Sequence, residues 1–371
     1  MRQKLIILAS LIGICGLFIY LSCCDDCPTC PDEPELPPLG NYRCYIWDTY
    51  NNIIFSIDTP ADTIIDSVHT DLAGYDFFVA PGGERLLALN SATQTTEILS
   101  TADLSHIGSL DLYGDFYFDG EDNYGVYYSL LNDKTYFIDP TTFALLDSIP
   151  RGIRYGCLDT VENVFFGSKM ETDSAGSAIE GNVIFKIDCD TRELVDSFVV
   201  HTDDTQMPVR VYRIAYKRGT EELYFHGAEY ADYSCLYRYE TGTGDIKRII
   251  RTRGPFGDVA ISLGRNELYM SDPGKPVFGI PPLEYFMIFD IESDELLAAV
   301  PSIVYPELTF ILPGRGLIRP TPDGRRLYVG GESYTGYGPA VVIDLEERKI
   351  IKAFDLFDDT YCALIAIGPS I

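Results

Sequence analysis

Apolar and aromatic side chains of residues 42–371 occur in short runs that are separated by Gly, Pro, Asn, Asp and Thr. Short apolar runs bounded by turn-forming residues are typical of β-strands. Apolar positions with the spacing of one helix face are interrupted throughout by Gly, Pro or β-branched residues. The pattern therefore predicts that this part of the chain is all-β.

Three kinds of run recur in a fixed order along the chain. An aromatic-rich run comes first, a second run ends in an acidic or hydroxyl residue, and a third apolar run completes the unit. The first kind occupies residues 43–48, 85–90, 125–130, 163–168, 222–227, 267–272 and 326–331. The second kind ends at Asp58, Ser100, Asp139, Asp188, Glu240, Asp290 and Asp344. Successive ends are 39 to 54 residues apart, which is the length of a four-stranded propeller blade.

Each blade also needs an innermost strand. Six units supply one, at residues 75–80, 115–119, 155–159, 211–216, 258–262 and 317–320. The first unit lacks it, and residues 361–368 are left over at the other end of the chain. Pairing the last strand with the first blade would hide two sheet edges. The sequence therefore predicts a seven-bladed β-propeller of four-stranded antiparallel blades, closed by the C-terminal strand joining the first blade.

Residues 1–22 have the features of an export signal. Arg2 and Lys4 precede an apolar run at 5–21, which Ser22 and Cys23 follow. This order resembles a bacterial lipoprotein signal peptide, in which the cysteine after the lipobox is lipidated. The resemblance implies lipidation of Cys23, with Cys24 as the alternative, and a lipid anchor in the bacterial cell envelope, at the outer membrane or the cell surface. An ordinary cleaved signal or an uncleaved anchor is the other interpretation.

Residues 23–40 are acidic and rich in proline, so we expect an extended tether between the signal and a single propeller domain at 41–371. Cys27 and Cys30 in this tether have a spacing that could chelate a metal or form a dithiol. Their flanks are linker, which favours a disulfide or a disordered tether instead. We expect neither a metal nor a cofactor.

The remaining cysteines lie on or beside predicted strands of different blades. They are Cys44, Cys157, Cys189, Cys235 and Cys362. The ring-closing hairpin would place Cys44 opposite a residue near Ile367, several positions from Cys362. Buried free thiols are therefore the expected state.

Acidic residues outnumber basic ones by 56 to 28, for a formal net charge of −28. Binding to a phosphate backbone needs a basic surface that releases counterions, so nucleic acid is excluded as an expected partner.

Arginines nevertheless precede several predicted inner strands. They are Arg151, Arg154, Arg210, Arg251, Arg253 and Arg315. Such positions would gather guanidinium groups at the mouth of the central channel, where they could bind a carboxylate or a phosphate bidentately. The alternative is that each arginine pairs with a neighbouring acid and only stabilises the ring.

One segment carries a family resemblance. Thr321-Pro322-Asp323-Gly324-Arg325-Arg326-Leu327-Tyr328-Val329 resembles the repeat of YVTN-type β-propellers, in which a Pro-Asp-Gly turn leads into a strand that begins Leu-Tyr-Val. Weaker copies occur at 81–87 and 264–269. The resemblance covers residues 42–371 as a fold, and only the last blade matches closely. It implies a group that includes lactonase-like enzymes, large subunits of quinoprotein amine dehydrogenases and exported proteins with no assigned activity.

Catalytic motifs are absent from the sequence. The four histidines, His69, His106, His201 and His226, are scattered over four units, and His226 attracts most interest because its strand ends near the face with the long loops. The sequence has no nucleophile elbow, phosphate-binding loop, dinucleotide fingerprint or zinc-binding helix. Acidic segments at 119–123 and 355–359 lack the alternating order of calcium loops.

Loop lengths differ between the two faces of the predicted ring. The connections at 81–84, 217–221, 264–266 and 322–325 form a tight-turn face, and those at 168–182, 201–210, 271–285, 301–316 and 331–339 form a long-loop face. Long irregular loops on a rigid scaffold are common binding sites, and tyrosines at 230, 233, 334 and 337 suit such contacts.

The sequence therefore favours a monomeric, non-catalytic binding or scaffold module for a protein, a peptide or a glycan. The alternative is a periplasmic or extracellular enzyme, lactonase-like or quinoprotein-associated, with an arginine-lined anion pocket. An enzyme is the less favoured of the two interpretations.

Overall fold

The structure is a computed structural model and describes residues 42–49, 51–118, 124–149, 152–159, 162–169, 171–172, 178–201, 209–217, 220–229, 233–253, 258–262, 265–272, 285–301, 318–330, 340–354 and 363–369. The chain divides into two units, Met1–Leu36 and Pro37–Ile371, and the described residues belong to the second. The signal, the tether and Cys23 lie outside the described residues, so the domain boundaries at 22 and 40 stay predictions.

Thirty strands form in chain order. The first four units contain β1 (Tyr42–Asp48), β2 (Ile53–Asp58), β3 (Thr63–His69), β4 (Gly74–Val79), β5 (Arg85–Asn90), β6 (Thr95–Ser100), β7 (His106–Leu110), β8 (Gly114–Phe118), β9 (Gly125–Ser129), β10 (Lys134–Ile138), β11 (Leu145–Ile149), β12 (Tyr155–Asp159), β13 (Val164–Ser168), β14 (Glu171–Thr172), β15 (Ala178–Glu180), β16 (Val183–Asp188) and β17 (Glu193–Val199).

The remaining units contain β18 (Arg210–Tyr216), β19 (Glu222–Glu229), β20 (Tyr233–Glu240), β21 (Ile246–Arg253), β22 (Val259–Ile261), β23 (Glu267–Asp272), β24 (Tyr285–Asp290), β25 (Leu296–Pro301), β26 (Ile318–Pro320), β27 (Arg326–Val329), β28 (Ala340–Asp344), β29 (Lys349–Phe354) and β30 (Ala363–Pro369). Helices do not occur within the described ranges. In that part of the chain there is consequently no helical segment that could cross a bilayer.

Seven four-stranded antiparallel sheets confirm the predicted all-β propeller. From inside to outside the blades are β30-β1-β2-β3, β4-β5-β6-β7, β8-β9-β10-β11, β12-β13-β16-β17, β18-β19-β20-β21, β22-β23-β24-β25 and β26-β27-β28-β29, which we number 1 to 7. The seven predicted inner strands agree with the structure to within about two residues at each end.

Ring closure by the C-terminal strand is also confirmed. β30 pairs with β1 from Tyr42 opposite Pro369 to Asp48 opposite Ala363. Cys44 lies opposite Ile367, as the hairpin register predicted. The pairing covers the edge of β1 and the edge of β30 together, and Ile365 becomes completely buried.

The core lies between neighbouring blades. The second strand of each blade is covered on both faces, and in β9 and β13 every residue is buried. This is why these strands read as continuous apolar runs rather than as alternating ones. Trp47 packs edge-on against Phe77 of the next blade, with 5.8 Å between ring centroids.

A repeated turn explains the acidic or hydroxyl residue that ends each third strand. Four positions after it, every blade has a residue with positive φ: Asp62, Leu104, Phe143, Arg192, Gly244, Asp294 and Arg348. In six blades the strand-end side chain bonds within the turn, as when Asp139 Oδ1 accepts from the backbone N–H groups of Thr141 and Thr142 at 3.0 and 2.6 Å. A register shift follows in the third–fourth strand hairpin of all seven blades. The periodic acids are therefore structural turn residues.

The described cysteines are free thiols, as predicted. Cys44, Cys189 and Cys235 are buried, and Cys157 is partly exposed. Burial raises the pKa of the Cys44 and Cys157 thiols, which keeps them protonated and unreactive. Cys362 lies outside the described residues.

Candidate functional site

The innermost strands bring charged side chains to the axis of the ring. Neighbouring inner strands contact one another in the order β8, β12, β18, β22, β26, β30 and β4. Each of these strands packs one set of side chains into the blade interfaces, so the alternate set faces the central channel. Six charged residues lie in these strands or directly before them, and we call them the channel residues: Asp76, Asp115, Arg154, Arg213, Asp258 and Arg319.

Asp258 organises the side of the channel formed by blades 5, 6 and 7. It precedes β22 and is only 4% exposed. Its Oδ1 lies 3.5 Å from Nε of Arg213, and its Oδ2 lies 3.0 Å from Nη1 of Arg319. The backbone N–H groups of Val259 and Ile318 donate to the same carboxylate at 3.0 and 3.1 Å. Two guanidinium groups and two amides therefore compensate the buried charge.

A second ion pair joins blades 3 and 4. Arg154 Nε lies 3.2 Å from Asp115 Oδ2, and the Tyr117 hydroxyl donates to the Arg154 carbonyl. The Tyr155 ring lies between two cations, with its centroid 5.4 Å from the Arg154 guanidinium carbon and 5.6 Å from that of Arg213. Cation–π contacts of this kind hold the guanidinium planes in place without neutralising them.

Asp76 differs from the other acids of the channel. Among the described residues it has no cation within ion-pairing distance, and it accepts a hydrogen bond from the N–H of Phe77 at 2.9 Å. Burial, together with the charge of the nearby Asp115, raises the pKa of Asp76 from 3.8 to about 6, against the opposing effects of Arg319 and Arg213. Burial also raises the pKa of Asp115, against the effect of Arg154. Asp76 thus takes up a proton closer to neutral pH than an ordinary aspartate does.

The charges of the described channel residues balance. Three arginines face three aspartates, and each of these arginines has an acid within 3.5 Å. A site built to attract an anion needs guanidinium groups whose charge is not already compensated. The described channel instead has the arrangement expected when arginines stabilise the ring, which was the alternative interpretation of the sequence.

The structure describes four of the six predicted binding arginines, at different places in the ring. Arg154 lies beside the channel, and Arg210 begins the inner strand β18. Arg251 and Arg253 lie in β21, the outermost strand of blade 5, and Arg251 is exposed there opposite Cys235. Both arginines precede the inner strand β22 in the chain, as expected, and they lie at the end of the outermost strand of the blade before it. Arg151 and Arg315 lie outside the described residues, and ligand binding by the six arginines stays a prediction.

Sequence reasoning missed Arg213 and Arg319, the two arginines that share Asp258. Both lie within inner strands, whereas the predicted arginines were those of the loops ahead of these strands. A charged residue in the middle of a short strand, as in Val211-Tyr212-Arg213-Ile214, was the available signal. Whether such a residue faces the channel or a blade interface depends on which face of the strand points toward the axis of the ring.

The histidines and acidic segments give no reactive centre in the described part of the chain. His226 is completely buried in the middle of β19, opposite Leu236, and so does not reach the long-loop face. His106 is exposed and bonds Glu97 at 2.9 Å. The described residues contain no group of three potential metal ligands. The acidic segments 119–123 and 355–359 lie outside them.

Two features project from the long-loop face of blades 4 and 5. In blade 4 the connection between β13 and β16 carries an additional hairpin, β14–β15. In blade 5 the strands β19 and β20 each have eight residues, compared with five in β9 and β10. The remaining long loops, including 273–284, 302–317 and 331–339, lie outside the described residues.

Comparisons with known proteins agree with this architecture. No protein-family model matches the chain, and no curated protein matches it in sequence. The structure is similar to that of a hypothetical selenium-binding protein from Sulfolobus tokodaii, with a TM-score of 0.64 and 15% identity over 91% of this chain and 94% of that one. It is also similar to apo AztD from Citrobacter koseri, with a TM-score of 0.58 and 11% identity over 89% and 98% of the two chains.

A third similar structure is the dihydro-heme d1 dehydrogenase NirN in complex with DHE. Its TM-score is 0.57, with 11% identity over 91% of this chain and 77% of that one. Identities at this level show a shared fold and nothing further. Because the similar proteins include both a dehydrogenase and a protein named for binding, the fold does not choose between catalysis and binding. The chain is a seven-bladed β-propeller whose structural neighbours include NirN and AztD.

Proposed function

We propose that this protein is an exported, membrane-tethered β-propeller that binds a protein, a peptide or a glycan without catalysis. The observation that carries the proposal is the pair of projecting hairpins on the long-loop face, one in blade 4 and one in blade 5. The two blades are neighbours in the ring, so the hairpins flank a common surface. Surfaces of this kind on rigid scaffolds are common recognition sites.

The extension of blade 5 lies at the end of the blade that faces the long loops. β19 begins at Glu222, level with the tight turn that precedes it, and pairs with β20 as far as Glu229 opposite Tyr233. The three residues that β19 has beyond the length of β9 therefore extend toward the long-loop face. At about 3.3 Å per residue, this raises the hairpin by roughly 10 Å. A partner would contact this ridge before it reached the channel.

The channel supports binding rather than catalysis. The described arginines there are compensated by Asp115 and Asp258, so they offer no excess positive charge for orienting an anionic substrate. The lactonase-like or quinoprotein-associated alternative required such an excess. Hydrolysis of a lactone or oxidation of an amine by the purified protein, at a rate that depends on Arg154, would restore that alternative.

Membership of the YVTN-type group is part of the proposal. The Pro-Asp-Gly turn of blade 7 supports it, because Asp323 Oδ1 accepts from Thr321 Oγ1 at 2.6 Å and from the N–H of Arg325 at 3.1 Å. Gly324 adopts a positive φ of 67° in this turn, where a side chain would be strained.

Lipidation of Cys23 is the proposed route of attachment. The tether that follows would place the propeller within about 50 Å of the membrane, at about 3 Å per extended residue. Cells fed an alkyne-bearing fatty acid should label the wild-type protein and the variant Cys24→Ser, whereas Cys23→Ser should lose the label. Equal labelling of both variants, or none in the wild type, would contradict this attachment.

The binding role is tested with a glycan and peptide array probed with the soluble unit Pro37–Ile371. A hit is then measured with a variant in which a Gly-Ser-Gly turn replaces residues 171–180, and with a control variant that changes the exposed tight-turn residue Glu84 to Ala. We expect the hairpin deletion to weaken binding at least about tenfold, because a central contact surface is lost, and the control to bind normally. Equal binding by the two variants would mean that the partner does not contact the hairpin of blade 4.

A further inference from the structure

A cleft opens on the tight-turn face where blade 7 meets blade 1. Its volume is about 330 Å³, at the lower end for small-molecule sites. We call it the seam cleft, and its charged lining consists of Arg265, Asp323, Arg325, Arg326, Asp344 and Glu346. The cleft lies on the opposite face from the projecting hairpins, so it is separate from the proposed partner surface.

Most of the charged groups that line the seam cleft are already engaged. Arg326 pairs with Asp344 at 2.6 Å and with Asp62 of blade 1 at 3.2 Å. Arg265 donates from Nε to the Gly324 carbonyl at 2.7 Å. Together with the Asp323 turn, these bonds build the walls of the cleft and tie blade 7 to both of its neighbours.

Arg325 and Glu346 are the exceptions. Nε of Arg325 is buried, and within the described part of the chain no acceptor lies at hydrogen-bonding distance from it. The carboxylate of Glu346 is exposed and likewise has no ion pair or hydrogen bond to any described side chain. Both residues line the same cleft, yet they do not pair with each other. A buried donor without an acceptor is unfavourable unless a bound molecule supplies one.

The fold does not require an arginine at position 325. The same backbone hydrogen bond closes the tight turn in four blades, from Thr321 to Arg326, Ala80 to Arg85, Lys217 to Glu222 and Ser262 to Glu267. The residue before the acceptor is Arg325 in blade 7 and Glu84, Glu221 and Asn266 in the others. A cation at this position is therefore specific to the seam cleft and is not a demand of the turn.

We propose that the seam cleft binds a small zwitterion of the amino-acid class. The carboxylate of the ligand accepts hydrogen bonds from the Arg325 guanidinium, and its ammonium group lies against Glu346. A phosphate or a dicarboxylate fits less well, because Arg265 and Arg326 are already engaged and a second negative charge would meet the unpaired carboxylate of Glu346. The volume of about 330 Å³ is enough for a single amino acid.

The test is isothermal titration of the full-length protein in detergent with L-glutamine, acetate, ethylamine and inorganic phosphate as separate probes. We expect glutamine to bind with one site per chain, and the other three probes to bind at least about tenfold more weakly. Acetate lacks the ammonium group, ethylamine lacks the carboxylate, and phosphate adds a second negative charge. If no probe binds at millimolar concentrations, or if phosphate binds most tightly, the proposal is overturned.

Variants locate the site. Arg325→Ala should weaken glutamine binding about tenfold or more, and Glu346→Gln should weaken it while leaving acetate unchanged. The matched control is Lys134→Ala, which removes an exposed cation from blade 3 and should bind as the wild type does. Unchanged glutamine binding in Arg325→Ala would overturn the proposal.

Thermal unfolding without ligand gives a readout that does not depend on the choice of probe. If Arg325 is kept for binding, Arg325→Ala should unfold at the same temperature as the wild type or higher, because an unsatisfied buried donor is removed. A clear fall in that temperature would make Arg325 a structural residue instead. Binding of a partner at the hairpins should be unaffected in this variant, so failure here and failure of the proposed function can be told apart.

Discussion

At the scale of single residues, the chain uses its acids mainly for structure. Asp139, Asp188, Asp290 and Asp344 each accept backbone hydrogen bonds inside the turn that they begin. These bonds lower the pKa values of Asp139 and Asp188. The large negative charge therefore does not by itself mark a binding surface, because a recurrent share of it stabilises hairpins.

Strain in the repeated turn predicts a stabilising substitution. Arg192 has a φ of 61°, is exposed and makes no hydrogen bond to a described residue. Arg192→Gly should raise the free energy of unfolding by about 0.5–1 kcal/mol, because relief of the left-handed conformation exceeds the added freedom of the unfolded chain. Urea unfolding measures the change. The neighbouring variant Glu193→Gly, in a strand, should lower the free energy instead, and a loss in both variants would contradict the argument.

The pKa of Asp76 predicts a pH-dependent stability. Because the folded-state pKa is raised to about 6, the favourable contribution of the protonated carboxyl is complete below the usual value of 3.8 and is lost as the pH rises through about 6. The charged groups near Asp76 are Asp115, Arg213 and Arg319, and they contribute to the shift in its pKa. Asp76→Asn should therefore be more stable than the wild type at about pH 8, by about 1–3 kcal/mol, and similar to it near pH 4.

Urea unfolding of both proteins at the two pH values measures this difference. Asp71→Asn, at an exposed position just before β4, serves as the control and should show no such dependence. An equal difference between Asp76→Asn and the wild type at both pH values would mean that the carboxyl titrates normally.

At the scale of strands, three outermost strands carry a pair of exposed apolar residues followed by an aspartate that can hinder pairing with another chain. Ile64 and Ile65 of β3 are 45% and 50% exposed, and Leu145 and Leu146 of β11 are 50% and 48% exposed. The same pairing occurs in β17. In all three strands the next residue is an Asp whose Oδ1 accepts from the following Ser N–H at 2.7 to 2.8 Å. An outward N–H that is already bonded cannot pair with another chain.

Removing these acids should promote association between molecules. The triple variant Asp66→Ala, Asp147→Ala, Asp196→Ala should form larger species in multi-angle light scattering, because apolar edge strands then present free N–H groups. The control variant Asp71→Ala, Asp111→Ala, Asp245→Ala loses the same charge at exposed positions that lie in turns or connections. If both variants aggregate equally, association of the wild-type molecules is prevented by their net charge and not by protection of the edge strands.

At the scale of the whole molecule, blade 1 is assembled from both ends of the propeller. β30 supplies its inner strand, and the seam between blades 7 and 1 is held by Arg326 and Tyr328, which both bond the carboxylate of Asp62. Closure is therefore a long-range contact that forms only when the chain is nearly complete. Such contacts carry a high cost in chain entropy before they are made.

A disulfide at this closure should stabilise the ring. Cys44 and Ile367 face each other in an antiparallel pair, within the Cα separation that a disulfide accepts. Oxidised Ile367→Cys should form a bond to Cys44 and gain about 3–5 kcal/mol, because the bond closes a loop of almost the whole domain. Peptide mapping identifies the cross-link, and unfolding with and without reductant measures the gain. Ile365→Cys, opposite Ile46, should form no bond to Cys44.

The sequence by itself determined the strands, the blade count, the closure and even the Cys44–Ile367 register, because each depends on local apolar runs and turn residues that repeat. Only the tertiary structure decided which charges meet. Arg213 and Arg319 share Asp258 because their inner strands lie next to each other across blades 5, 6 and 7. Ion pairing depends on distances across the ring, and a linear pattern of strands does not contain them.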